Sequence, residues 1–345
     1  MTGSGFLPRP TGWRVATGHT NRFMESLTLG LTIAIDLVAG LCLLFLGGHY
    51  LVQHAVMLAG KLGVTPLVIG MTIVAFGTSA PELVVSLGAI LTDHDDIVIG
   101  NIIGGNIVNI LLVLSLSILI FPITVPRAFI WREGGSVVAA TVLFMALCLD
   151  GALSLLDGLI LLAGLGSFIA ATFFVFPGPG DDPPHERGTP QREEVASRRG
   201  LPRHVFWVIG ALAALAVGSQ LFVDGAVALS RLLGVSEAVI GLTVVAVGTA
   251  APEIVTATIA AFRRQSGVAI GNVLGSNMFN MLGIGGITAL VSPIAVHPHF
   301  LEIDFAMLLA ATVGIVMIGH VGRSLGRVTG GVMLAAYAGY TASLF

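Results

Sequence analysis

The chain has 345 residues, of which 55% are hydrophobic and only 10% charged, with a formal net charge of −3 and a mean hydropathy of +0.96. A water-soluble domain carries about 25% charged residues, so there is too little charge here to coat a soluble surface. No basic cluster of the kind that binds nucleic acid is present, and the expected fold class is an all-α polytopic membrane protein.

Residues 1–27 are polar and contain arginine, without an apolar core followed by a small-residue cleavage site, so they do not read as a cleavable signal peptide. Met24 directly precedes the first apolar stretch, which makes a mis-called start upstream of it the expectation. Stretches of about 20 apolar residues read as transmembrane helices. Ten are expected, at 28–50, 65–91, 97–121, 128–149, 153–176, 204–230, 236–262, 268–291, 299–319 and 325–343. Cys42 and Cys148 both fall in apolar stretches and read as packing residues rather than a disulfide or metal pair. The 45 glycines suit closely packed membrane helices. His49 and His54, near the end of the first span, read as surface residues rather than ligands. Residues 177–203, rich in proline, glycine and charge, read as a disordered linker between two five-helix units at 28–176 and 204–345.

The two units repeat each other. GVTPLVIGMTIVAFGTSAPELVVS begins at Gly63 and GVSEAVIGLTVVAVGTAAPEIVTA at Gly234; IGNIIGGNIVN begins at Ile99 and IGNVLGSNMFN at Ile270. Both offsets are 171 (234 − 63 and 270 − 99), and about 21 of the 47 positions from 63 to 109 are identical to their counterparts. An odd number of spans per unit predicts that the second copy enters the membrane in the opposite sense, as in many secondary transporters. Lys and Arg concentrate in cytoplasmic loops. Lys61, Arg127, Arg132, Arg187, Arg192, Arg198, Arg199, Arg203, Arg263, Arg264, Arg323 and Arg327 share one side if the N-terminus is outside. Arg231 then lies outside, with Arg9, Arg14 and Arg22 of the N-terminal stretch. The expected location is therefore the plasma (inner) membrane, N-terminus out and linker cytoplasmic. Asp93, Asp95, Asp96, Asp150, Asp157, Glu302 and Asp304 read as solvated loop residues near the outer face.

Glu82 and Glu253 lie mid-span with apolar sequence on either side and no lysine or arginine in either span. An ionisable residue at that depth costs at least about 2.5 kcal/mol by insertion scales and marks an ion pathway or a partner. Pro81 and Pro252 remove a helical donor and free the carbonyls of Gly77 and Gly248. Irregular backbone in a membrane is tolerated where it is buried in protein or lines a cavity. Thr78, Ser79 and Thr249 add hydroxyls on the same turn. Asn109 and Asn280 occupy matching places within reach of the glutamates, while Asn101, Asn106, Asn272 and Asn277 are expected to satisfy freed backbone groups. This inventory is all oxygen, which suits hard cations such as calcium or sodium rather than zinc or copper. Two nearby carboxylates in a low-dielectric site do not both stay charged when empty. One calcium, sodium ions or protons neutralise the pair, and mutually exclusive occupancy is the physical basis of exchange.

GTSAPE with GNIIGGNIVN, and GTAAPE with GNVLGSNMFN, resemble the two alpha-repeats of the sodium/calcium exchanger family of the calcium/cation antiporter superfamily. The likeness spans nearly the whole chain. It implies that Glu82 and Glu253, with Thr78 and Thr249, bind calcium. It also implies that the Ala75 and Ala246 carbonyls, Ser79 and Ser276 belong to flanking sodium sites with the glutamates, and that Asn109 and Asn280 sit mid-cluster. The family pattern has serine where this chain has Ala250 and Gly105, and many members carry aspartate at Asn280; on this mapping each sodium site loses one hydroxyl. The implied function is calcium/sodium antiport by alternating access, with a calcium/proton exchanger of the same fold as the alternative and a passive cation channel as a further one. The first and sixth spans are implied to move against the rest. No HExxH motif and no Ser-His or paired-Asp arrangement appears in the spans, so an enzyme is not expected. Lipid and the transported ions Ca2+ and Na+ (or H+) are the expected partners, with no cofactor.

Overall fold

A computed structural model describes residues 13–124, 130–174, 200–235, 246–322 and 324–343. Residues 177–199 of the linker, 236–245 of the seventh expected span, the first twelve residues, Arg127 and Arg323 lie outside the described residues.

Helix α1 runs Trp13–Leu62 as one piece, beginning before and ending after the expected span at 28–50. No proline interrupts it; the helix stops at Gly63, whose φ of +72° is the left-handed conformation glycine adopts after a helix end. Val64 N–H donates to the Ala59 carbonyl at 3.0 Å, closing that end. At 1.5 Å per residue the helix is about 75 Å long, well beyond the roughly 30 Å hydrocarbon core.

Thr65 then caps α2 (Pro66–Thr78), its hydroxyl accepting from Val68 N–H, and Pro66 sits in the first turn, where its missing N–H costs nothing. After a 42° bend at Ser79 the chain continues as α3 (Ala80–Ile90), with Pro81 again in a first turn. Helix α4 is Asp95–Ile120, with a π-helical turn at Asn109–Leu114. Strand β1 (Ile123–Thr124), α5 (Gly135–Cys148, entered through a π turn at Ile130–Gly134), β2 (Ala152–Leu153) and α6 (Leu155–Phe174) complete the first half.

The second half follows with α7 (Leu201–Leu232), α8 (Ala246–Thr249), α9 (Ala251–Phe262) and α10 (Ser266–Val291, with a π turn at Phe279–Ile284). Strand β3 (Ile294–Ala295), α11 (Phe305–Gly322, entered through a π turn at Phe300–Asp304), β4 (Ser324–Leu325) and α12 (Arg327–Ser343) end it. Strand β1 pairs antiparallel with β4, and β2 with β3. Each ribbon therefore joins the two halves, and exchanging the halves turns one ribbon into the other.

Among the described residues seven helices are long and apolar enough to cross a membrane, and the bent α2–α3 pair makes eight. The protein is an integral membrane protein. Of the other two expected spans, the seventh is described only as the short α8 and α9, and the tenth as the 17-residue α12. Helices α10 and α4 are central, with 89% and 72% of their apolar stretches buried against 17% for α1. They carry the main core, which includes Ile99, Ile103, Val273 and Met281. Among the described residues, helices α1 and α7 pack along each other more extensively than any other pair. A Cβ at Gly40 would lie 2.6 Å from the Phe222 backbone nitrogen, so only glycine permits that approach.

Two expectations change here. His54 is buried rather than on the surface, with its Nδ1 2.9 Å from His204 Nδ1 and its ring stacked on Trp207. The acidic residues placed in solvated loops include three that hold structure. Asp95 accepts from Ala295 N–H at 2.8 Å, Asp157 from Ser154 N–H at 2.8 Å, and Asp304 from the Tyr340 hydroxyl at 2.7 Å.

Candidate functional site

Both half-broken spans deliver a glutamate to the centre of the molecule. Glu82 and Glu253 each stand in the first turn of the helix after a break, α3 and α9, and are 2% and 0% exposed. Each break is a non-helical residue, Ser79 at φ −84°, ψ 7° and Ala250 at φ −80°, ψ 2°. Ser79, one turn before Glu82, hydrogen-bonds Glu253, and α9 and α3 both pack on the central helices.

The hydroxyls come from both halves. Ser79 donates to Glu253 Oε1 at 3.1 Å, and Ser276 on α10 donates to the same oxygen at 3.4 Å. Thr78 Oγ1 lies 3.5 Å from Ser276 Oγ and also reaches the Ala75 carbonyl, at 3.3 Å, and Asn272 Oδ1, at 3.0 Å. Thr78, Ser79 and Ser276 are fully buried, and Thr249 is half-buried at the end of α8, which Ala246 opens. The absent hydroxyls are arranged differently from the one-per-side expectation. The two that are present converge on Glu253, and subtracting or adding 171 carries Ser276 to Gly105, Ser79 to Ala250 and Glu253 to Glu82. Both gaps therefore fall around one carboxylate, because each glutamate is served by the break of the opposite half and the glycine-rich helix of its own.

Among the asparagines, Asn101 donates to the Glu82 carbonyl at 3.0 Å and to Ser86 Oγ at 2.8 Å, and Asn106 donates to the Ile102 carbonyl at 2.8 Å. Asn277 reaches the Asn106 carbonyl at 3.5 Å. Asn272 departs from the backbone role expected of it and faces Thr78, with its Nδ2 buried and unpartnered. Asn109 and Asn280 are buried with both amide atoms unpartnered, so neither is hydrogen-bonded to a glutamate.

The carbonyls freed by proline are not equivalent. Gly248 O accepts a 2.7 Å hydrogen bond from the buried Ser219 on α7. The matching position on α1 is Gly48 (219 − 171), which has no hydroxyl to give Gly77. Sequence reasoning missed Ser219; its signal was a lone serine in the apolar run LAVGSQLF. It also missed Glu133, a buried carboxylate paired with Arg132 at 2.8 Å inside the span expected at 128–149; its signal was an acidic residue beside an arginine within that span.

The arrangement is an oxygen-lined centre with unpartnered Glu82 Oε2, Glu253 Oε2 and both amides of Asn109 and Asn280. Each such group costs about 1–3 kcal/mol when buried without a partner, a cost that a bound cation removes for the oxygens. Among the described residues no three of His, Cys, Asp and Glu cluster as metal ligands, so a nitrogen- or sulfur-based transition-metal centre has no ligand set there. Two carboxylates flanked by hydroxyls and carbonyls fit a hard cation.

The family described as sodium/calcium exchanger protein matches this chain twice, over residues 32–174 and 203–345. The chain is 34% identical to inner membrane protein YrbG of Escherichia coli over 80% of this chain and 85% of that protein. It is 30% identical to sodium/calcium exchanger MaX1 of Methanosarcina acetivorans over 90% and 97% of the two. The fold is similar to that of the sodium-calcium exchanger NCX_Mj in crystals soaked with Na+ and Ca2+. There the TM-score is 0.78 and the identity 29%, over 91% of this chain and 98% of that one.

Proposed function

The chain belongs to the sodium/calcium exchanger protein family, and on that premise we propose that it exchanges calcium for sodium by alternating access at a midplane site formed by Glu82 and Glu253. The observation that carries the reading is the burial of two carboxylates, one from each half, each with an unpartnered oxygen and flanked among the described residues by hydroxyls and amides. Calcium takes carboxylates, carbonyls and hydroxyls in a flexible shell, which Glu82, Glu253, Thr78 and Thr249 supply here. Sodium uses the hydroxyls Ser79 and Ser276 with the carbonyls of Ala75 and Ala246. Loading neutralises the pair, and only the neutralised site crosses between inward- and outward-open states.

The architecture in this proposal is ten spans in two inverted halves. The exchange of β1·β4 with β3·β2 supports it, as does the recurrence of a π turn in α4 and α10 within one residue of the same repeat position. Lysine and arginine placement supports an N-terminus outside, a cytoplasmic linker and the inner membrane as location.

A second reading keeps the fold and replaces sodium by protons; Ala250 and Gly105, which remove two hydroxyls, favour it. Uptake of radioactive calcium into proteoliposomes separates the readings, comparing outward sodium and proton gradients with a potassium control. Sodium-driven uptake is the expected result. Uptake driven only by protons supports the second reading, and calcium flux indifferent to any counter-ion overturns exchange altogether.

A further inference from the structure

The two carboxylates are not equivalently furnished. On the Glu253 side a continuous row of oxygens runs from the Ala75 carbonyl to Thr78 Oγ1 (3.3 Å), Ser276 Oγ (3.5 Å), Glu253 Oε1 (3.4 Å) and Ser79 Oγ (3.1 Å). The three hydroxyls are inaccessible to solvent. The repeat offset of 171 carries that row onto Ala246, Thr249, Gly105, Glu82 and Ala250. Two of its five oxygens are gone. Among the described residues no side-chain hydroxyl donates to the Glu82 carboxylate, whose Oε2 is buried and unpartnered. The space a serine would use at 105 is bounded instead by an amide: a Cβ there would lie 3.3 Å from Asn280 Nδ2. Ala250 is itself buried, so no water-filled surface stands in for the missing group.

We infer that the protein binds sodium asymmetrically, at one subsite formed by Ala75 O, Thr78, Ser276, Ser79 and Glu253, with no sodium subsite at the mirror position beside Glu82. The inference rests on the exchanger reading and narrows its sodium ligands, leaving out the Ala246 carbonyl, by fixing which carboxylate the monovalent ion shares. The physical reason is the difference between the two cations. A monovalent ion beside a single carboxylate still needs nearly all the neutral oxygens around it to replace its hydration shell. Calcium draws mainly on the two carboxylates. Loss of two hydroxyls therefore removes a sodium subsite while leaving the calcium position its charged ligands. One consequence is that fewer sodium ions leave per calcium than from a centre with both rows intact.

The test is equilibrium binding of radioactive calcium to the purified full-length protein in detergent, displaced by sodium with choline as the replacement cation. The Hill coefficient is bounded by the number of sites, so a displacement slope of about 1 is expected. Ser276→Gly should raise the half-displacing sodium concentration by about 10-fold or more, the scale on which loss of a supporting ligand acts, and by more than it raises the calcium Kd. Ala250→Ser returns one hydroxyl to the Glu82 side and should steepen the slope towards 2. A wild-type slope near 2, or sodium displacement untouched by Ser276→Gly, overturns the asymmetry while leaving calcium exchange standing. Absence of calcium binding by the wild type overturns the exchanger reading and this inference with it. Purification as a single symmetric peak shows that each variant is folded.

Discussion

Ser79, at the break in the first half, donates its hydroxyl to Glu253 of the second half across 3.1 Å. The bond runs between residues 174 positions apart, and the Ser276 hydroxyl meets it on the same carboxylate oxygen. Neither half contains a finished site: the break of one half supplies the neighbour that the glutamate of the other requires. A duplicated membrane protein built this way cannot lose one half and keep half its function.

The first prediction concerns charge. On the proposed calcium exchange, Glu82→Gln or Glu253→Gln leaves one negative charge of two at the site, and calcium uptake by proteoliposomes should fall to background. Loss of a merely supporting partner costs a metal site about 10–100-fold, and loss of a carboxylate should exceed that. Both variants should purify as monodisperse protein, since neither carboxylate is held by an ion pair with lysine or arginine among the described residues. Near-normal uptake by either variant would sink the assignment of the site.

Asn109 offers a separation of stability from function. Both of its amide atoms are buried without partners, so in the ion-free protein the amide contributes desolvation cost and no hydrogen bond, about 1–3 kcal/mol per group. Asn109→Leu, close in volume, should leave Tm in detergent unchanged or raised while calcium uptake drops. A large fall in Tm would mean that the amide holds the fold together instead.

Ser219 should matter to stability more than other serines of its helix. Its hydroxyl satisfies the Gly248 carbonyl that Pro252 leaves without a helical donor. Ser219→Ala should cost about 1–3 kcal/mol by stranding a buried acceptor. Ser230→Ala should cost less, because that hydroxyl only back-bonds to Ala226 within its own helix. Thermal unfolding of the two variants side by side checks this; equal shifts would argue against the role given to Ser219.

Helix contact at the centre is set by glycine. A Cβ at Gly271 would lie 2.7 Å from the Leu67 carbonyl oxygen and 3.0 Å from the Met71 nitrogen, both backbone atoms of α2 that cannot swing aside. Gly271→Ala should destabilise by about 1–3 kcal/mol through overpacking and disturb the site, since α2 carries Thr78. At Gly104 nothing lies within 4 Å of the added carbon, and Gly104→Ala should be tolerated or slightly stabilising. A lower Tm for Gly104→Ala than for Gly271→Ala would reverse that packing order.

The sequence by itself determined that the chain is a membrane protein, that it is a duplication at an offset of 171, and that Glu82, Glu253, Pro81 and Pro252 are the residues to explain. Hydropathy, ionisable groups in apolar runs and repeated motifs are local properties, so they can be read without coordinates. Three features were decided only by tertiary structure. The convergence of Ser79 and Ser276 on one carboxylate, and hence the placement of both missing hydroxyls beside Glu82, depends on how two halves pack across each other. The capture of the Gly248 carbonyl by Ser219 and the facing of Asn272 to Thr78 join residues 29 and 194 positions apart. The burial of His54 against His204 arises where α1 meets α7. Each depends on side-chain direction and helix rotation between segments distant in sequence, and hydropathy carries no record of either.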